Sequence, residues 1–236
     1  MFPTLFAKTF AILISQLLVT FLGTLGFRKL LGSLQERNVD GLSRAPRPQG
    51  RPGLLIDNRT VQPYVWPILL AYFVLFFLLI TVGIAAPAAG IVIFSLWSLV
   101  MGAFLTLALA RFSDEFVARV VALTALVTIL CGLIGTYSNL VGSRLESILF
   151  WALLALLAAY TLRLFLKLTE EGERLIAFFG VIVFVGYLLV DFNRIAYEEK
   201  KGENNWSVAM DIAINIYLDI INLLLQLLEL LAESSD

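Results

Sequence analysis

Histidine is missing from these 236 residues, and cysteine occurs once. The first absence removes the commonest general base and the commonest metal ligand. The lone Cys131 lies in an apolar run, with no internal disulfide partner and no zinc-ligand spacing. Charge is scarce as well. Asp, Glu, Lys and Arg make up 15% of the chain, against roughly 25% in ordinary soluble domains. The net charge of −1 carries no basic footprint, so nucleic acid is not an expected partner. No phosphate loop, nucleophile triad or metal cluster is visible. The chain is therefore expected neither to be an enzyme nor to hold a cofactor.

What is abundant is apolar: 60% of residues are hydrophobic. A membrane-crossing helix needs ~20 mostly apolar residues. Seven stretches qualify, at about 5–27, 64–86, 89–110, 116–137, 147–166, 174–194 and 208–231. The first is too long for a signal-peptide core of ~7–15 residues and reads as a span. The expectation is one all-α transmembrane domain over 1–236, multi-pass, with the lipid bilayer as its first partner.

The one long connection, 28–62, carries Arg37, Arg44, Arg47, Arg51 and Arg59 among Pro46, Pro48 and Pro52. It reads as a polar, helix-breaking loop that attracts anionic head groups. Trp66, Trp151 and Trp206 fall near span ends, as interfacial anchors do, whereas Trp97 lies inside its span. Arg163 and Lys167, near the end of span five, read as snorkelling to the interface. Lys8, Arg144, Arg194, Lys200 and Lys201 fall on the N-terminal side, and the other twelve basic residues on the opposite side. That excess favours the second side as cytoplasmic.

The last span has a pattern of its own. Asp211, Asn215, Asp219, Asn222, Gln226 and Glu229 follow one another in steps of 4, 4, 3, 4 and 3. Such steps put all six on one helix face. The stripe suits a wet cavity inside a bundle, a helix lying on the membrane surface, or a partner helix in water. It has no Lys or Arg, which disfavours the surface arrangement.

Span six ends Val185-Gly-Tyr-Leu-Leu-Val-Asp-Phe-Asn-Arg194, and Asp191 is the one acid in that apolar run. An acid at membrane depth needs a partner or water. Arg194, three residues on, is a local partner on the same face. Asp219 is the other. Spans six and seven are joined by the polar link Lys201–Asn205, so they run antiparallel. Asp191 stands 12 residues before Glu203 and Asp219 stands 16 after it. The depth mismatch is ~6 Å. Two carboxylates so close in a poor dielectric do not both stay ionised easily and titrate as a unit. Such a pair responds to pH and can hold a hard cation through its oxygens.

Gly186-Tyr-Leu-Leu-Val-Asp-Phe-Asn-Arg-Ile, Gly202-Glu-Asn-Asn-Trp and Ile216-Tyr-Leu-Asp-Ile-Ile-Asn-Leu together resemble the Bax inhibitor-1, or transmembrane Bax inhibitor motif, family. Ala110-Arg111 after the third span is a weaker echo. The resemblance implies a seven-helix bundle with the C-terminal helix central. It also implies that Asp191 and Asp219 match the pH-sensitive di-aspartyl pair of the bacterial members. The family is associated with a pH-dependent calcium leak through a pore that this pair helps close. A prokaryotic plasma membrane is the implied location.

There are two departures from the family. Bacterial members latch one aspartate with an arginine on the second helix, and Tyr64–Ala86 here carries no charge. That moves the latch to Arg194 or another basic residue. The family's orientation also puts the loop after span six in the cytoplasm, opposite to the charge count.

The leading expectation is thus a calcium leak. Asp191 and Asp219 sense protons, gate, and offer the oxygens that calcium as transported ion would meet. Asp211, Asn215, Asn222 and Arg194 support them, and Glu229 flanks the stripe. The alternative is a non-conducting regulatory protein that binds other membrane proteins, such as a protease or a cell-death modulator. An intramembrane aspartyl protease also needs two aspartates, but its Tyr-Asp and Gly-x-Gly-Asp contexts are not those of Asp191 and Asp219.

Overall fold

The computed structural model describes residues 4–36, 42–46, 52–56, 69–110, 112–141, 144–163, 165–166 and 168–232. Seven helices lie within them. They are α1 Leu5–Glu36, α2 Leu69–Gly83, α3 Pro87–Leu109, α4 Asp114–Tyr137, α5 Arg144–Arg163, α6 Glu170–Lys200 and α7 Trp206–Ala232. All but α2 are long and apolar enough to cross a membrane. The second expected span is described only as the apolar Leu69–Gly83, because 64–68 lie outside the described residues. Trp66, Arg37, Arg47, Arg51, Arg59, Pro48, Arg111 and Lys167 lie outside them too.

Large apolar side chains such as Leu70, Phe73, Phe77, Ile129 and Trp151 are exposed. In water such a surface would aggregate; on membrane-length helices it meets lipid tails. The chain is an integral, multi-pass, α-helical membrane protein.

The loop expected over 28–62 is partly a correction. Helix α1 continues through Arg28 and Lys29 to Glu36, since no proline or glycine pair interrupts the sequence there. Beyond it, strand β1 (Leu42–Pro46) pairs antiparallel with β2 (Pro52–Ile56). The prolines sit at the strand ends, where a missing N–H costs least.

The chain divides into two compact units, Ala11–Ser113 and Met1–Phe10 with Asp114–Asp236. In the first, Gly102 lets α1 and α3 touch: a Cβ there would stand 2.5 Å from the Thr20 carbonyl. Gln16 Nε2 donates to Ser95 Oγ (3.2 Å), Ser98 Oγ donates to Gln16 Oε1 (3.2 Å), and Thr106 Oγ1 donates to the Thr24 carbonyl (3.1 Å). Small polar pairs of this kind hold helices together where lipid offers no hydrophobic drive. Trp97 is fully buried against Tyr72, Phe76 and Phe94. It is core, which explains its position away from a span end. A π-helical turn, Leu79–Gly83, ends α2, and Pro87 starts α3.

The second unit holds α4 to α7. Thr169 caps α6, its hydroxyl accepting from Gly172 N, and Glu170, Glu171 and Glu173 favour the positive end of the helix. Gly202, at φ 86°, makes the turn that ends α6. Asn205 Oδ1 then accepts from Val208 N at 2.8 Å and starts α7. The link expected at Lys201–Asn205 is the one observed. Lys8 Nζ donates to the carbonyl and Oδ1 of Asn204 (2.7 and 2.9 Å), tying the start of α1 to this turn.

A candidate polar cavity between the last three helices

Helices α6 and α7 run antiparallel from the Gly202 turn, which sets Asp191 and Asp219 at similar depth. Their carboxyl groups meet in hydrogen-bonding contact. The contact requires a proton on one of the two, since a carboxylate only accepts. Both residues are buried, at 8% and 7% exposure. Asp219 Oδ2 has no N–H or O–H donor among the described residues. A shared proton or a cation is what such an oxygen needs.

The pair stands on the wall of a cavity of about 490 Å³. Helix α7 contributes Asn215, Asp219, Asn222 and Gln226, with Leu218 between them. Helix α6 adds Phe184, Tyr187 and Asp191, and α5 adds Leu153, Leu156, Leu157 and Tyr160. The polar stripe therefore faces a cavity among helices, the first of the three arrangements open to it.

The two ends of the stripe are closed by ion pairs. Arg194 Nη2 meets Asp211 Oδ2 at 2.6 Å. This corrects the local pairing of Arg194 with Asp191. Asp191 turns toward Asp219, and the long Arg194 side chain crosses from α6 to α7 to reach Asp211. Arg194 acts on Asp191 only through its field, opposed by Asp211 and Glu146. At the other end Arg163 pairs with Glu229, and its Nη2 lies 3.0 Å from Glu173 Oε2. Tyr160 OH donates to Gln226 Oε1 at 2.7 Å. Arg163 was expected to snorkel; it instead joins α5, α6 and α7.

Arg163 is one tie of this site that sequence reading missed, because its partner Glu229 lies 66 positions away. A cation at the end of α5 opposite the last acid of the stripe was the available signal. We expect Arg163→Met to lower stability by about 1–2 kcal/mol, since the three side chains are partly exposed. Thermal unfolding in detergent measures it, and a midpoint equal to wild type would refute the tie.

Asn193 is the second missed residue. Its Oδ1 accepts from Leu140 N and Val141 N at 2.8 and 2.9 Å. Its Nδ2 donates to the carbonyls of Gly135 (3.0 Å) and Ser138. One side chain on α6 thus closes the end of α4 and the α4–α5 connection. Gly135 permits the approach, as a Cβ there would stand 2.5 Å from the Leu189 carbonyl.

Among the described residues no group of three or more His, Cys, Asp or Glu could hold a metal ion. Calcium takes 6–8 oxygens, more than one carboxyl pair supplies. The cavity's amide oxygens on Asn215 and Asn222 are its other polar acceptors, while Gln226 Oε1 accepts from Tyr160 OH.

Over 93 residues the chain is 36% identical to the Golgi anti-apoptotic protein of vaccinia virus, strains Lister and LC16m0. The match covers 39% of this chain and spans only 37% of each viral relative. A family model described as inhibitor of apoptosis-promoting Bax1 matches residues 3–236. A match over essentially the full length, beyond the Asp191–Asp219 region where the resemblance began, means that the chain belongs to this Bax inhibitor family.

Proposed function

We propose that the chain is a pH-sensitive calcium leak of the Bax inhibitor-1 type, with Asp191 and Asp219 as sensor and gate. The observation that carries this reading is the contact of two buried carboxyls on the wall of a polar cavity. Asn215 and Asn222 offer oxygens to a passing ion, and the Arg194–Asp211 pair guards one end of the path. In this reading α7 stands at the centre of a seven-span bundle. Its burial supports that: Ile212, Ala213, Ile214, Ile216 and Tyr217 are all buried, which covers more than half of the helix circumference. The protein is not an enzyme in this reading, and calcium is its cargo rather than a cofactor.

The proposed gate works through a proton. With one proton the pair forms a charge-assisted bond that holds α6 to α7. A second proton leaves a neutral bond about half as strong. Loss of the shared proton sets two like charges in contact. Calcium entry into liposomes carrying the purified protein is therefore expected to exceed that of protein-free liposomes and to rise on acidification. Flux no higher than in protein-free liposomes would remove this reading.

That result would favour a non-conducting regulator of other membrane proteins. The name of the viral relatives, Golgi anti-apoptotic protein, supports this second reading for those proteins. We place the chain in a prokaryotic plasma membrane, whereas the relatives' name points to a Golgi membrane. Fractionation of the host cell decides between the two.

A further inference from the structure

A cavity of about 490 Å³ is far larger than a bare metal ion. It falls instead in the range of sites that take small organic molecules, about 300–1,000 Å³. Its chemistry is divided. One wall carries Asp191, Asp219, Asn215 and Asn222, all able to accept hydrogen bonds. The rest of the lining is apolar, with Leu153, Leu156 and Leu157 from α5 and Phe184 from α6, which no metal ion would use. The lining contains no Lys or Arg. The cations at the two ends, Arg194 and Arg163, are engaged by Asp211 and by Glu173 and Glu229.

The charge also decides the ligand. With one proton shared between them the two carboxyls keep one negative charge, which a monovalent cation matches better than a divalent one. Asp191 and Asp219 both line the cavity, and Asp219 Oδ2 is left without a donor among the described residues. An ammonium group has three N–H donors, and the aromatic side chains of Tyr187 and Phe184 belong to the same lining.

We propose that this cavity binds a hydrophobic primary amine, its ammonium between Asp191 and Asp219 and its apolar body against Leu153, Leu157 and Phe184. The amine site shares its walls with the proposed leak but does not require that calcium pass.

The test is calorimetric titration of the purified full chain in detergent with 2-phenylethylamine, blanked against detergent alone. The neutral 2-phenylethanol, of nearly the same shape, is the comparison. The amine is expected to bind saturably and the alcohol at least tenfold more weakly. Asp219→Asn is expected to weaken the amine tenfold or more, and Leu153→Trp to abolish binding by filling the space. Thermal midpoints near wild type would show that both variants fold. Equal binding of amine and alcohol would overturn the site, as would unchanged amine binding in Asp219→Asn. Calcium flux is measured separately. Amine binding without flux defeats the leak alone, and pH-gated flux with equal amine and alcohol binding defeats the amine site alone.

Discussion

Calcium flux through Asp219→Asn is expected to be low and nearly flat with pH. The substitution keeps the size of the side chain and replaces a titrating carboxyl with an amide. That amide donates to the Asp191 carboxylate without needing a shared proton, so the α6–α7 contact persists. In the wild type, one pH unit of difference in proton affinity between two conformations is worth about 1.4 kcal/mol, a tenfold change in their ratio. Wild-type flux is therefore expected to change about tenfold between neutral and mildly acidic pH, and that of the variant by no more than about twofold. A variant that kept the wild-type profile would remove the gate from this pair, wherever the ion passes. Asp191→Asn is the natural control, because the amide then donates the other way across the same contact.

The second large effect is on stability. Asn193→Ala is expected to cost about 2–4 kcal/mol, because two N–H groups lose their acceptor and the Ser138 and Gly135 carbonyls lose a donor at once, Gly135 keeping only Ser138 N–H. Each unsatisfied buried group costs about 1–3 kcal/mol, and water can reach part of this half-buried connection. Asn193→Asp separates the two halves of the interaction. It still accepts from Leu140 N and Val141 N but cannot donate to Gly135 and Ser138, so an intermediate loss is expected. Thermal or denaturant unfolding in a fixed detergent measures both. A change within about 0.5 kcal/mol for Asn193→Ala would mean that the connection is not held by this side chain.

Much of the candidate site was legible in the sequence because helices have a fixed period. Steps of three and four set Asp211 to Glu229 on one face of α7 before any packing was known. The short Lys201–Asn205 link made α6 and α7 antiparallel, and residue counting then placed Asp191 opposite Asp219. The six long spans were legible for the same reason: run length and apolarity are local properties.

Partners of long side chains were not legible. Arg194 had an acid three residues before it and another on the next helix, and only the side-chain directions chose Asp211. Arg163 found Glu229 and Glu173 on two other helices. Asn193 carried no periodic signal at all, because its partners are backbone groups that exist at every position. The continuation of α1 to Glu36 and the pairing of β1 with β2 were hidden behind the arginines and prolines of that stretch.

By itself, then, the sequence determined that the chain lives in a membrane, where its helices run, and that two acids face each other near one depth. Those follow from hydrophobic length and helical repeat, which neighbours along the chain decide. Only the tertiary structure decided that the acids share a cavity walled on one side by leucines, and which arginine closes each end. Pairing across helices depends on the direction and reach of side chains, and those are set by packing among distant segments.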